Sequence, residues 1–364
     1  MVSTPFPKLS NTSENSNPLV SDGLNPDPRC LISQEAIDLT ILRRLVGQSI
    51  LSVSQFDKPL VLEICKFAAL LEATEIASSH PLDGKIIITA FFEPSTRTRL
   101  SFESATLRLD GKVISIPDGR TSGVEKGESL TDTGEMLNAY GDLVVMRHTE
   151  TSAIAEISTN LRLPLINAGN GTGEHPTQAL ADWYAILKWY PQLKAGLPNR
   201  KRLHIGISGT PGSMRAVKSF LLMALFFHDS IRTITIVSEM ADPLGPELTK
   251  ALDQSGINYQ IERDINTTLA DLDVIYMNSL CFLGDSYQSL DQRNKLTEQS
   301  PLKPGAVVLH PLARLDELSE TLDTTEHNLY FTQAHGAVFV RQALLISLLN
   351  RFDRLPKNIP VSQS

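Results

Sequence analysis

Cysteine is scarce in this sequence: Cys30, Cys65 and Cys281 are the three in a chain of 364 residues. Their number is odd and none lies near another, so neither a disulfide framework nor a zinc-ligand spacing is present. Long apolar runs are missing as well. The longest, over 220–227, ends at His228 and Asp229, well short of the ~18 residues a membrane-spanning helix needs. Positive charge is not in excess, with 33 Lys and Arg against 41 Asp and Glu and a formal net charge of -8. Nucleic-acid affinity rests on neutralising phosphates, so nucleic acid is not expected as a principal partner, while a local basic pocket for a small anion stays open. The N-terminus has no basic-then-apolar leader pattern. The expectation is a cytoplasmic protein with no membrane partner, no metal and no cofactor.

What remains is ordinary globular composition, 41% hydrophobic and 20% charged, in a chain long enough for two domains or one large one. Residues 1–36 are rich in Pro, Ser and Asn and read as a disordered or loosely docked tail. Beyond them, Leu60, Val61, Ile64, Cys65, Ala68, Ala69 and Leu71 recur at helical spacing. The runs KIIITAFFE, VISI, LVVMRH and LPLINAG have strand length and alternate with helical or polar stretches. A second series, RLHIGISG, TITIVS, NYQIE, LDVIYMN and AVVLHPL, follows the helical ALADWYAILKWY and the linker PQLKAGLPNR. A last helix is expected over 338–352. Such alternation predicts an α/β fold of two doubly wound parallel-sheet domains joined by interdomain helices. The expected division is a first domain over 37–177, an interdomain helix and linker over 178–200, a second domain over 201–335, and a C-terminal helix over 336–354 packing back on the first domain. Clefts for ligands belong at the carboxyl ends of the strands.

The most informative stretch is Phe91-Phe92-Glu93-Pro94-Ser95-Thr96-Arg97-Thr98-Arg99, a strand running into a helix start. First-turn N–H groups have no intrahelical acceptor and carry partial positive charge, so they suit a phosphate. Ser95, Thr96 and Thr98 add hydroxyls, and Arg97 a guanidinium fork. An ordinary capped helix with surface arginines uses the same residues. Arg99 suits a structural role, pinning the helix through a carboxylate such as Glu93. Two further segments favour the anion site. Arg147-His148 ends the strand LVVMRH, and Gly173-Glu174-His175-Pro176-Thr177-Gln178 follows LPLINAG with an imidazole and an amide at a helix start. Each alone is more often structural. Together they set a phosphate loop, a cation, an imidazole and an amide at successive strand ends, which suits a small phosphorylated carbonyl compound.

FFEPSTRTRLSFE, VMRH and HPTQALAD resemble the fingerprints of the aspartate/ornithine carbamoyltransferase family, a resemblance that runs over about residues 45–352. The aspartate branch is closer, because the ornithine branch carries a cysteine in a late H-C-L-P motif where this sequence has His310-Pro311-Leu312. The resemblance implies a carbamoyl phosphate-dependent carbamoyltransferase without cofactor, whose first domain binds carbamoyl phosphate and whose second binds a small amino-acid acceptor. It implies that Ser95, Thr96, Arg97 and Thr98 hold the phosphate. Thr98, Arg147 and His175 would surround the carbamoyl oxygen as the catalytic groups, and Gln178 and the Leu312 carbonyl would hold the carbamoyl amide. Amine attack puts negative charge on the carbamoyl oxygen, which fixed donors stabilise, and phosphate is already a good leaving group. Ser122 and Lys126 match residues that the family lends to a neighbouring subunit's site, which implies a homotrimer with shared active sites. By composition alone their loop is a solvated Gly- and charge-rich segment. Arg215 matches the family's arginine for the acceptor's carboxylate, and a ligand there would account for an arginine opposing the dipole in a first helical turn.

The sequence departs from the aspartate branch after Tyr276-Met277-Asn278. That branch has Arg-Val-Gln where Ser279-Leu280-Cys281 stands, and neither Ser279 nor Cys281 can grip a carboxylate in two places. The loss is ~1.5–3 kcal/mol per charge-assisted hydrogen bond. Ala313 replaces the proline of the family's HPLPR, and Asp285 could meet an amine. With the donor half intact and the acceptor half rewritten, the expected acceptor is an amino acid other than aspartate, a diamino acid first. The alternative is aspartate itself, giving N-carbamoyl-L-aspartate for pyrimidine biosynthesis. A catalytically silent homologue is opposed by Arg97, Thr98, Arg147 and His175, and a dinucleotide binder by residues 206–212, which lack G-x-G-x-x-G. No regulatory subunit is specified.

Overall fold

The strand candidates form two separate sheets, each wholly parallel. The computed structural model describes residues 24–32, 36–74, 79–119, 127–278, 282–283, 286–287, 294–356 and 361–362. In the first sheet β1 (Ile86–Phe91), β2 (Lys112–Ile116), β3 (Leu143–His148) and β4 (Leu165–Asn170) lie in the order β2-β1-β3-β4. In the second, β5 (Leu203–Ser208), β6 (Ile231–Val237), β7 (Asn258–Glu262), β8 (Val274–Met277) and β9 (Val307–Leu309) lie in the order β9-β8-β5-β6-β7. Every residue of β4, β5 and β8 is buried, which is why those strands read as near-continuous apolar runs. The edge strands β2 and β7 keep exposed residues.

Alternate residues of the first sheet feed different cores. Ile87, Phe91, Val145 and Ile166 pack with α1 (Lys58–Ala73), α2 (Thr96–Arg108) and α5 (Pro176–Trp189). Ile88, Ala90, Val144, Met146 and Leu165 pack on the other side with α3 (Leu130–Tyr140) and α4 (Ala153–Ser158). In the second sheet Ile205, Ile207, Ile234 and Ile236 share a core with α6 (Arg215–Ala224) and α7 (Gly245–Ser255), while Ile275, Met277 and Val308 face a separate one. Helices or loops therefore cover both faces of each sheet, the doubly wound arrangement expected.

α5 joins the two halves through aromatic stacking. Trp183 lies 4.2 Å from Phe227 and 5.9 Å from Phe220, and Phe220 lies 4.1 Å from Tyr276 on β8. α8 (Tyr330–Leu348) packs on α1, α2 and α5. It begins at Tyr330 rather than 338 and ends at Leu348 rather than 352. Thr332, Gln333 and Gly336 interrupt the apolar pattern and hide its start, although all three are buried. Part of the segment read as a loose tail is closely docked. Asp27 caps the turn Pro28–Leu31, Leu31 is buried, and Thr332 donates to the Leu24 carbonyl at 2.7 Å. Among the described residues no helix is long and apolar enough to cross a membrane.

Candidate active site

β1, β3 and β4 are neighbours, so the loops that leave their carboxyl ends converge on one edge. The Phe92 N–H donates to the Arg147 carbonyl at 2.8 Å, continuing the ladder past β1. Ser95 then takes the N-cap position of α2 in an extended conformation, yet its side chain makes no capping hydrogen bond. The capped helix expected as one reading is thus absent, and the first-turn N–H groups are left for another acceptor. Thr96 and Arg97 are exposed on that turn, and Arg97 makes no ion pair among the described residues. Thr98 is buried, with its Oγ1 3.3 Å from His175 Nε2.

Arg99 does not reach Glu93. It pairs with Glu103 one turn along α2, Nη1 to Oε1 at 3.1 Å, because the i,i+4 neighbour lies on its own helix face. Glu93 instead accepts from Arg147 Nη2 at 2.7 Å and from Arg215 Nη2 and Nη1 at 2.7 and 2.9 Å. Arg215 stands at the start of α6 in the second domain and also donates to the Gly171 carbonyl at 2.9 Å. Glu93, rather than a ligand, therefore answers the arginine charge at that helix start. Burial alone would push the Glu93 carboxyl up. The hydrogen bond from Arg215 and the charges of Arg147 and Arg215 outweigh it and hold the group below the usual carboxylate range. Gly169 lets Arg215 pass: its φ is +114°, and a Cβ there would lie 2.9 Å from Arg215 Nε.

His175 takes the N-cap position of α5 at 4% exposure, and its own backbone N–H donates to Ser219 Oγ of α6 at 2.8 Å. Burial first, then the charges of Arg147, Arg215 and Arg341, hold the imidazole well below its ordinary value. Near pH 7 it is neutral, with one donor and one acceptor nitrogen, and Nδ1 is buried without a protein partner. Gln178 stands one turn further along α5, its Nε2 donating to Asp182 Oδ1 at 2.7 Å. Leu312 follows β9, and its N–H donates to His310 Nδ1 at 2.8 Å. Ser122, Lys126, Ser279, Cys281 and Asp285 lie outside the described residues.

An open helix end for an anion thus adjoins a hydroxyl, a neutral imidazole and a guanidinium. Such a set can hold a phosphate and stabilise charge developing on a neighbouring carbonyl oxygen. Among the described residues no three His, Cys, Asp or Glu side chains group as a metal site needs.

Comparison with known proteins gives the same picture. Residues 48–188 match the model of the aspartate/ornithine carbamoyltransferase carbamoyl-P binding domain, and residues 201–348 match that of the Asp/Orn binding domain. The chain belongs to the aspartate/ornithine carbamoyltransferase family. It is 34% identical over 313 residues to the aspartate carbamoyltransferase catalytic subunit of Clostridium acetobutylicum, covering 84% of this chain and 99% of that one. With the Methanobrevibacter smithii catalytic subunit it shares 36% over 311 residues, 83% and 95% of the two chains. The crystal structure of Trypanosoma cruzi aspartate transcarbamoylase in complex with carbamoyl phosphate and aspartate superposes with a TM-score of 0.73 at 30% identity, covering 85% and 98%. The protein is a carbamoyl phosphate-dependent carbamoyltransferase.

For such an enzyme the sequence reading passes over three residues of the site. Glu93 is given to Arg99, whereas it neutralises Arg147 and Arg215. Its available signal is a lone carboxylate between a strand and an otherwise basic loop. Asp182 is read as part of an apolar helix and Gln333 falls before the last expected helix, and the two meet only across 151 residues of sequence.

Proposed function

We propose that this carbamoyltransferase transfers the carbamoyl group of carbamoyl phosphate to the α-amino group of L-aspartate, giving N-carbamoyl-L-aspartate and phosphate. The observation that carries the donor half is the 3.3 Å contact of Thr98 Oγ1 with His175 Nε2, below an uncapped helix start and beside Arg147. In this reading Ser95, Thr96, Arg97 and the first-turn N–H groups of α2 hold the phosphate. Thr98, Arg147 and neutral His175 donate to the carbamoyl oxygen as the amine attacks. Charge collecting on that oxygen meets donors already in place, and as the tetrahedral centre collapses the C–O bond to phosphate breaks and the departing phosphate takes the proton released by the attacking amine. Gln178 and the Leu312 carbonyl accept from the carbamoyl NH₂ group. Arg215 orients the acceptor's carboxylate, which must share the guanidinium with Glu93. Binding both substrates in one cleft makes their encounter local.

Aspartate as acceptor is supported by the names of the relatives and by the aspartate-bound Trypanosoma cruzi enzyme. A second reading, a diamino acid, rests on Ser279 and Cys281, which cannot replace Arg and Gln as carboxylate ligands, and on Asp285. Phosphate release from carbamoyl phosphate, measured across a panel of amino acids, separates the two. Saturation by aspartate with a KM in the usual range of ~1 μM–1 mM upholds the first. Poor turnover of aspartate beside efficient turnover of a diamino acid overturns it.

The proposed assembly is a homotrimer in which Ser122 and Lys126 serve a neighbouring site. Leu100, Leu107 and Ile114, 50%, 62% and 43% exposed on α2 and β2, support a subunit contact there. The domain division 37–177 and 201–335, with 178–200 between and 336–354 returning to the first domain, belongs to the same proposal. Cys30 and Cys65 are free thiols, which suits a reducing cytoplasm.

A further inference from the structure

One buried carboxylate lies between the two groups assigned to the carbamoyl amide. Asp182 Oδ1 accepts Gln178 Nε2 at 2.7 Å and Gln333 Nε2, from α8, at 2.5 Å. Gln333 turns its own Oε1 to the His310 N–H at 2.9 Å. His310 Nδ1 accepts the Leu312 N–H at 2.8 Å, and His310 Nε2 is 2.8 Å from Glu317 Oε1. A continuous chain of hydrogen bonds thus runs from the Gln178 amide on α5 to the turn that carries the Leu312 carbonyl.

The direction of each amide in that chain follows from the acceptor at its middle. An oxygen without a proton can only accept, so both glutamines must present nitrogen to Asp182 Oδ1. Gln178 Oε1 is then left facing away and accepts from no described residue, free for a donor such as an NH₂ group. Gln333 Oε1 is left for the His310 N–H. Asp182 is 0% exposed and Arg341 2% exposed. The Arg341 charge favours the carboxylate, while the guanidinium lies 4.7 Å over the Phe102 ring. Tyr276 stands beside Asp182, with no hydrogen bond of good geometry to Oδ2. Burial pushes the carboxyl up to about 7. A proton taken up would sit on the unpartnered Oδ2, so Oδ1 accepts in either state.

Resting on the carbamoyl-amide role given above to Gln178 and Leu312, we propose that Asp182 is a positioning residue for carbamoyl transfer. Acting through Gln178 and Gln333, it fixes which end of the Gln178 amide faces the carbamoyl group and holds the turn that presents the Leu312 carbonyl. Gln333 is the link between the two.

The test is a double-mutant cycle on the full chain, using Asp182→Asn, Gln178→Ala and the pair, with carbamoyl phosphate as the varied substrate. Asp182→Asn removes the charge and turns one of two acceptor-only oxygens into an NH₂ donor, so the direction of the glutamine amides is no longer dictated. The expected result is a fall of about tenfold or more in kcat/KM for carbamoyl phosphate, and less than about twofold when Gln178 is already Ala. Affinity for inorganic phosphate, measured by calorimetry, should stay within about twofold, because the phosphate donors lie on α2. An equal fall in both backgrounds overturns the proposal, as does loss of phosphate affinity in Asp182→Asn, since either marks a merely structural residue. A Gln178→Ala variant with unchanged kcat/KM overturns the role assigned to Gln178 beneath it, and that failure is read from the single variant alone. Should Asp182→Asn not fold, Gln333→Met leaves the carboxylate and its bond from Gln178 in place and removes both bonds of Gln333, to Asp182 and from the His310 N–H. A fall in kcat/KM with phosphate affinity kept then supports the proposal, and an unchanged kcat/KM refutes it.

Discussion

Glu93→Gln removes one negative charge from between two arginines while keeping the side chain's shape. Three charge-assisted hydrogen bonds reach Glu93 from Arg147 and Arg215. At ~1.5–3 kcal/mol each they set an upper bound of ~5–9 kcal/mol. The Glu93 side chain is 25% exposed, and a glutamine oxygen keeps part of the bonding. Solvent screening and that residue of contact bring the expected loss to ~2–4 kcal/mol. At ~2.1 cal/mol/K of unfolding entropy per residue, the melting temperature of a 364-residue chain should fall by about 3–5 °C. The sign of the pH dependence follows from the lowered carboxyl. Stability from the pair is complete above the ordinary value of 4.5 and disappears as pH falls through the lower folded value, so the wild-type and variant curves converge only on that acid side. Activity should suffer as well, with kcat down about tenfold as Arg147 loses its fixed geometry. Calorimetric melting of Glu93→Gln, Arg215→Met and the pair measures the coupling directly. Effects that add to within ~0.5 kcal/mol would mean that the bridge between the domains contributes nothing, and the reasoning would fail.

Arg97→Ala should abolish saturation with carbamoyl phosphate and leave the melting temperature unchanged, since the side chain is exposed and pairs with no described residue; normal saturation kinetics would contradict its phosphate role. Gly169→Ala should cost ~1–3 kcal/mol and weaken the acceptor more than carbamoyl phosphate, because the backbone conformation disfavours Ala and the new Cβ meets Arg215. Equal KM values for both substrates in wild type and variant would refute it. Mixing inactive Lys126→Ala with inactive Arg97→Ala subunits should restore part of the activity if sites are shared, as some sites inherit both intact halves. No recovery after verified subunit exchange would mean that each site is built from one chain.

The fold is largely legible because its central strands are buried on both faces. Runs such as LINAGN and LHIGIS show strand length and turn signals within a few residues, and their alternation with helices dictates the parallel sheets. The proposed phosphate loop is legible for the same local reason: Ser95 to Thr98 occupy one turn, and their chemistry is visible without a partner. Periodicity records apolar contact alone and so starts helix α8 too late. Thr332, Gln333 and Arg341 look like surface positions until their buried partners, the Leu24 carbonyl, Asp182 and the Phe102 ring, are known.

Charge balance in the site was the least legible part, and the reason is distance along the chain. Sequence proximity points Arg99 to Glu93, six positions away, but Glu103 lies on the helix face that Arg99 can reach. Glu93 was thereby released to Arg215, 122 positions away. A guanidinium in a first helical turn does signal an unmet need for negative charge; sequence alone assigns that need to a ligand, whereas folding meets it from within. Under the proposed function an acceptor carboxylate therefore enters a site where Arg215 is already paired. It gains the arginine only to the extent that Glu93 yields it, and discrimination between acceptors must come from the groups that meet the other end of the molecule. In the proposed site Ser279 and Cys281 are the residues assigned to that end, so on this reading the acceptor preference is set there rather than at Arg215. Changing Ser279→Arg together with Cys281→Gln should raise kcat/KM for aspartate relative to any diamino acid, and an unchanged ratio would return the choice of acceptor to Arg215 and Glu93.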